Sequence, residues 1–127
     1  MVKVLIFVES RYKVNRKRIR KTVENILSRE GISTPAEISI AIVGDRKMRE
    51  LSLKYKGEDK TRNVLSFSLS EGERTPESGN QVLRLGDIVI SYPEVIREAA
   101  KEEVLVDSKI DELIIHGLNH LLGIHHE

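Results

Sequence analysis

Two rhythms of apolar and polar residues run through this chain, and each predicts a kind of element. Residues 2–8 are apolar and rich in β-branched side chains apart from Lys3, the pattern of a buried strand. Over residues 15–30 the apolar positions Ile19, Val23, Ile26 and Leu27 fall three and four apart. That spacing predicts an amphipathic helix, with Asn15 as its N-cap and Gly31 as its stop. Residues 37–43 return to period two, with Ile38, Ile40 and Ile42 alternating against Ser39 and Ala41, which predicts a second strand. Asp45 is placed to cap a short helix reaching Tyr55, with Met48, Leu51 and Tyr55 on its inner face.

The second half repeats the same grammar. Residues 63–69 (NVLSFSL) alternate as a third strand, residues 71–81 are polar and rich in turn formers, and residues 85–90 (LGDIVI) make a short fourth strand. A helix over residues 92–103 opens on Tyr92-Pro93, where the missing proline N–H costs little. Ser108-x-x-Asp111 has the form of a capping box for a last helix that runs to Leu122, before Gly123. No repeat or domain boundary interrupts the pattern. The expectation is one α+β domain over 1–127, with about four strands and four helices.

Composition narrows the chemistry. The 127 residues contain no cysteine, so disulfides, iron–sulfur clusters, thiol catalysis and cysteine zinc sites are excluded. The longest apolar run is too short for a membrane span and lacks a signal-peptide cleavage site, which makes the cytosol the default compartment. The net charge of +1 conceals an asymmetry: residues 1–66 hold 16 Lys/Arg against 8 Asp/Glu, and residues 67–127 hold 5 against 12. Arg11, Lys13, Arg16, Lys17, Arg18, Arg20 and Lys21 follow one another without an acid, which suits a surface facing nucleic acid or simply a solvated helix face.

All four histidines lie between positions 116 and 126. His116 and His120 share one face of the last predicted helix, one turn apart, the spacing by which helical imidazoles bind one zinc ion. With Gly123 and His126 the run reads H-x-x-x-H-x-x-G-x-x-H, the spacing of the three-histidine zincin motif; that spacing favours His126 over the adjacent His125. Zinc peptidases carry a glutamate after the first histidine, where this chain has Gly117. Three neutral imidazoles leave a zinc ion its full charge and one open position, in which water reaches a pKa near ~7. A phosphodiester suits such a site, with Lys54, Lys56, Lys60 and Arg62 available to meet an anion. Asp87, a charge within an apolar strand, is a candidate to orient a ligand histidine through its second ring nitrogen, or else makes local bonds at a strand end.

The stretch HGLNHLLGIHH resembles the H-G-x-L-H-L-x-G-Y-D-H signature of the YbeY family of metal-dependent endoribonucleases. LSLKYKGEDKTRNVLSF at 51–67 and LGDIVI at 85–90 agree with that family in order and distance. The resemblance implies a zincin-like α+β fold with a small mixed sheet, and zinc on His116, His120 and His126. It further implies single-stranded RNA in the cleft and a role on the small ribosomal subunit: maturation of the 16S ribosomal RNA 3′ end and ribosome quality control. Asn63 and Ser66 match its cleft strand and are expected to contact the substrate backbone. Lys56 stands where the family has a catalytic arginine; it keeps the charge without the bidentate fork, which Arg62 is near enough in sequence to supply. The competing readings are a non-catalytic RNA- or ribosome-binding module with a structural zinc, and a zinc peptidase.

Overall fold

A computed structural model describes residues 2–68 and 82–124. Four strands, β1 (Val2–Val8), β2 (Ala36–Val43), β3 (Val64–Phe67) and β4 (Leu83–Ser91), form one sheet in the order β1-β2-β4-β3. β1, β2 and β4 run parallel, and β3 pairs antiparallel with β4 at the far edge. Four helices complete the fold: α1 (Arg16–Arg29), α2 (Asp45–Lys56), α3 (Tyr92–Glu102) and α4 (Val106–Leu121). This is the α+β architecture of four strands and four helices that the periodicities predict, with the small mixed sheet that the family resemblance implies. The third strand's Leu69 and the polar stretch 71–81 lie outside the described residues.

The alternation in β2 decides the layering. Ile38, Ile40 and Ile42 point to one face, where they meet Val4, Ile88 and Ile90 from the neighbouring strands and Ile19, Val23, Ile110 and Ile114 from α1 and α4. The other face has a smaller core, where Met48 of α2 joins Val43, Leu65 and Val89. Among the described residues no such cover reaches β1 on that side. The run read as a buried strand is an edge strand with one face open: Leu5 is 43% exposed and Phe7 61%. Its apolar residues are continuous in sequence, but among the described residues a helix lies beneath only one side of the strand.

Two predicted caps are replaced by tertiary contacts. Asn15 caps α1 as expected, its side chain accepting from the Arg18 N–H. For α2 the N-cap is Gly44, whose N–H donates to Glu9 Oε2 at 2.9 Å. Asp45 instead accepts from Ser91, Thr61 and Arg97, which ties the starts of α2 and α3 to the segment before β3. The inner face of α2 keeps Met48 and the partly buried Leu51 and also buries Ser52, while Tyr55 lies further out and stacks on Phe67. Helix α4 begins at Val106 with no side-chain cap, two residues before the expected box. Ser108 and Asp111 face α1, where Arg18 Nε donates to Asp111 Oδ2 at 2.9 Å and Arg18 Nη2 to Ser108 Oγ at 3.5 Å.

Helix α4 lies close on β4 because Gly117 faces Ile88. A Cβ at Gly117 would come within 2.9 Å of Ile88 Cδ1, a side chain with no exposure. Gly117→Ala gains up to about 1 kcal/mol of helix propensity but overpacks the contact by about 1–3 kcal/mol. Urea denaturation should therefore show lower stability by about 1 kcal/mol; a rise would mean that the helix has room to move away.

Candidate active site

Residues 116 and 120 sit at the C-terminal end of α4, on the flank next to β3, and both histidines are exposed. Ser66 projects from β3 on the same side, because Ser66 pairs with Ile88, the residue that packs under Gly117. Ser66 Oγ lies 2.6 Å from His120 Nδ1. That contact fixes the ring and leaves Nε2 directed away from the strand. An imidazole that binds metal through Nε2 carries its proton on Nδ1, so Ser66 then acts as acceptor, and its own hydroxyl proton remains available to another group. A residue expected to touch substrate is thus found bonded to the candidate ligand itself.

Asp87, a candidate either to orient a ligand histidine or to make local bonds in its strand, bonds to a neighbouring strand. It faces the opposite side of the sheet, across from Phe67 in the strand register, and pairs with Ser39. There it lines a groove of about 350 Å³ with Leu5, Phe7, Tyr55 and Phe67. Burial pushes its carboxyl above the ordinary carboxylate range, and the Ser39 hydrogen bond only partly opposes this.

The remaining candidates surround β3. Asn63, just before the strand, donates from Nδ2 to Glu98 Oε1 of α3 at 3.1 Å, and its carbonyl accepts from the Ser91 N–H. Two residues earlier, Thr61 Oγ1 donates to Asp45, whose carboxyl is held below its usual range: burial works against this, but hydrogen bonds from Arg97, Ser91 and Thr61 outweigh it. Arg62 is held between these two anchors, with Nη2 3.7 Å from Glu58 Oε1. Lys56, the last residue of α2, is exposed. Among the described residues, neither Lys56 nor Arg62 bonds to a histidine, and no group of three or more His, Asp or Glu side chains forms a metal cluster. His126 and His125 lie outside the described residues.

One contributor was not foreseen. Lys109 is 4% exposed, and its Nζ lies 2.8 Å from Glu112, 3.0 Å from Glu102 and 3.3 Å from Glu98. Hydrogen bonding to Glu112 outweighs the cost of burial and raises its pKa well above that of a free lysine. Since Glu98 also holds Asn63, this cluster links the helix bearing the histidines to the start of the strand bearing Ser66. A lysine on the apolar stripe of α4, beside Ile110 and Leu113, was the available signal.

A four-stranded α+β fold that sets a helical histidine pair against an edge strand, with a serine bonded to one ring, is an arrangement able to hold a metal ion for hydrolysis. The endoribonuclease YbeY family model matches residues 6–127. An endoribonuclease YbeY from Desulforamulus reducens is 41% identical over 87% of this chain and 72% of its own length. The one from Syntrophus aciditrophicus is 39% identical over 94% and 72%, and that from Aquifex aeolicus 37% over 98% and 78%. The solution structure of TM1509 from Thermotoga maritima superposes with a TM-score of 0.60 at 22% identity, over all of this chain and 75% of that one, a likeness of fold. The chain belongs to the endoribonuclease YbeY family, and its enzyme class is that of a hydrolase.

The Asp87 environment has a measurable consequence. Its folded-state pKa exceeds the unfolded value, so the proton stabilises the native state and ionisation at higher pH costs stability. Asp87→Asn, which keeps a partner for Ser39, should raise stability at pH 7 and change it little at pH 3 by thermal unfolding. Equal effects at both values would show that the shift is absent.

Proposed function

We propose that this chain is a zinc-dependent endoribonuclease that cuts single-stranded RNA. In this reading it works in the cytoplasm on the small ribosomal subunit, in maturation of the 16S ribosomal RNA 3′ end and in ribosome quality control. The observation that carries the reading is the Ser66–His120 contact beside the exposed His116, in a chain of an endoribonuclease family. The donor set suits the metal: two imidazoles one helical turn apart, with one Nδ1 already engaged, are what a borderline-soft ion takes up. His116, His120 and His126 would hold the ion, which when bound supplies Lewis-acid charge and a water acidified to near neutrality.

The chain's own residues do the rest. Ser66 holds the His120 ring and, as the acceptor in that contact, keeps its hydroxyl proton for another partner. Asn63 and Thr61 are committed to Glu98 and Asp45, so they position the polypeptide on either side of Arg62 rather than leaving it loose. Arg62 and Lys56 then meet the phosphate and offset the charge that builds on it. Support against a peptidase comes from Gly117, which is buried against Ile88 on the sheet side of α4, so this position supplies no base.

Elemental analysis of the protein beside its His120→Ala variant, followed by assay on single-stranded ribosomal RNA, tests the reading. One equivalent of zinc and cleavage are expected, with both lost in the variant. Metal without cleavage would favour a non-catalytic RNA-binding module with structural zinc. His126→Ala should weaken metal binding more than His125→Ala; equal losses would mean that the third ligand is misassigned. Ser66→Ala should weaken zinc about 10-fold in chelator competition, within the range for residues that orient a ligand. An unchanged affinity would reject the orienting role.

A further inference from the structure

We propose that the outward face of α1 is a second RNA-binding surface, separate from the histidine pair, that grips the phosphate backbone of a double-stranded segment flanking the cleaved strand. The inference rests on the endoribonuclease reading and adds a second place at which substrate is held.

Of the seven cations between Arg11 and Lys21, two are used internally. Arg16 Nη1 donates to the Ile6 carbonyl, and Arg18 is paired with Asp111. Arg11, Lys13, Lys17, Arg20 and Lys21 are exposed, and among the described residues none of their side chains has a hydrogen bond or ion pair; Lys13 is engaged only through its carbonyl, which accepts from the Tyr92 hydroxyl. The stability of the helix does not account for them. The first turn of α1 has no acid, and cations there oppose the helix macrodipole. The nearest acid along the helix is Glu24.

The surface is distinct from the active site. Asp111 marks the flank of α4 that faces α1, and His116 and His120 lie five and nine residues further on. At 3.6 residues per turn those positions are rotated by roughly 140° and 180°, so α4 stands between the basic stripe and the histidines. The occupant follows from the chemistry of the stripe. Residues 13–30 contain no aromatic side chain, and Tyr12 is stacked on Tyr92, so the face has no platform on which bases could stack. What it offers is cations in a row from Lys13 to Lys21. Lys17, Arg20 and Lys21 share one face over about 6 Å of α1 and Lys13 lies in the segment before it, which together suit roughly two or three successive phosphates without reading sequence.

The test uses the full chain carrying Lys17→Gln, Arg20→Gln and Lys21→Gln. A control carries Lys47→Gln, Arg49→Gln and Lys101→Gln and loses the same charge from α2 and α3. Two RNAs are compared: a ~5-nucleotide single strand, and the same strand extended by a duplex of ~16 base pairs. The stripe variant should retain its metal and cleave the short RNA like the native protein. On the extended RNA its KM should rise about 10-fold, with kcat unchanged. Its log-affinity against log-salt slope for that RNA should fall by about two to three, and the control should change neither value. An unchanged KM and slope, or an equal loss in the control, would overturn the proposal and leave the stripe to an acidic protein surface. If the native protein cleaved neither RNA but bound the extended one through the stripe, the nuclease reading would fail and the surface would stand.

Discussion

The seating of α4 on the sheet is the constraint on which the rest of this molecule depends. Gly117 meets Ile88 with no space for a further carbon, so the helix axis lies as near β4 as the Ile88 side chain allows. His116 and His120 lie on either side of that glycine in sequence, and Ser66 is the strand partner of Ile88. The same packed layer therefore sets both the height of the helix and the reach of the serine. The 2.6 Å contact between Ser66 and His120 follows from apolar packing that contains no functional group.

Polar contacts then fix the helix from both flanks. On one side Asp111 takes Arg18 and Thr22 of α1; on the other Lys109 gathers Glu98, Glu102 and Glu112. The two differ in weight. The Arg18–Asp111 pair is partly open to solvent, and such pairs contribute at most about 1 kcal/mol. Lys109 is enclosed, so its charge depends on its carboxylate partners, and through Glu98 and Asn63 the cluster reaches the strand at the site. Rotation of α4 about its axis would break one flank or the other. Slippage along the axis would lose the fit at Gly117.

The two faces of the sheet are used differently. One carries α1 and α4 and the histidine pair, and the other carries α2, the Asp87–Ser39 pair and an open apolar groove beside β1. Arg62 stands at the junction, in the segment that crosses from α2 to β3, anchored at Thr61 and Asn63. The cleavage site proposed at the histidine pair and the proposed grip of α1 on a flanking duplex both lie on the face that carries α1 and α4.

The sequence alone determined whatever is local or periodic. Alternation in residues 37–43, the three-and-four spacing after Asn15 and the histidines one turn apart read directly, because backbone geometry repeats at 2 and 3.6 residues whatever surrounds it. The family signature was legible for the same reason: its spacings lie within one helix and its ending. Tertiary structure decided which face each polar residue meets. Asp87 and Ser66 both alternate with apolar neighbours, but only the pairing of β3 with β4 puts Ser66 beside His120 and Asp87 on the far side. Ser108 and Asp111 have the spacing of a cap, yet Arg18, 90 and 93 residues away in the chain, claims them. Val2–Val8 reads as buried, yet half of it is open because no helix among the described residues covers that edge. A polar group bonds to whatever partner the packed core brings within reach, and sequence distance has no part in that choice.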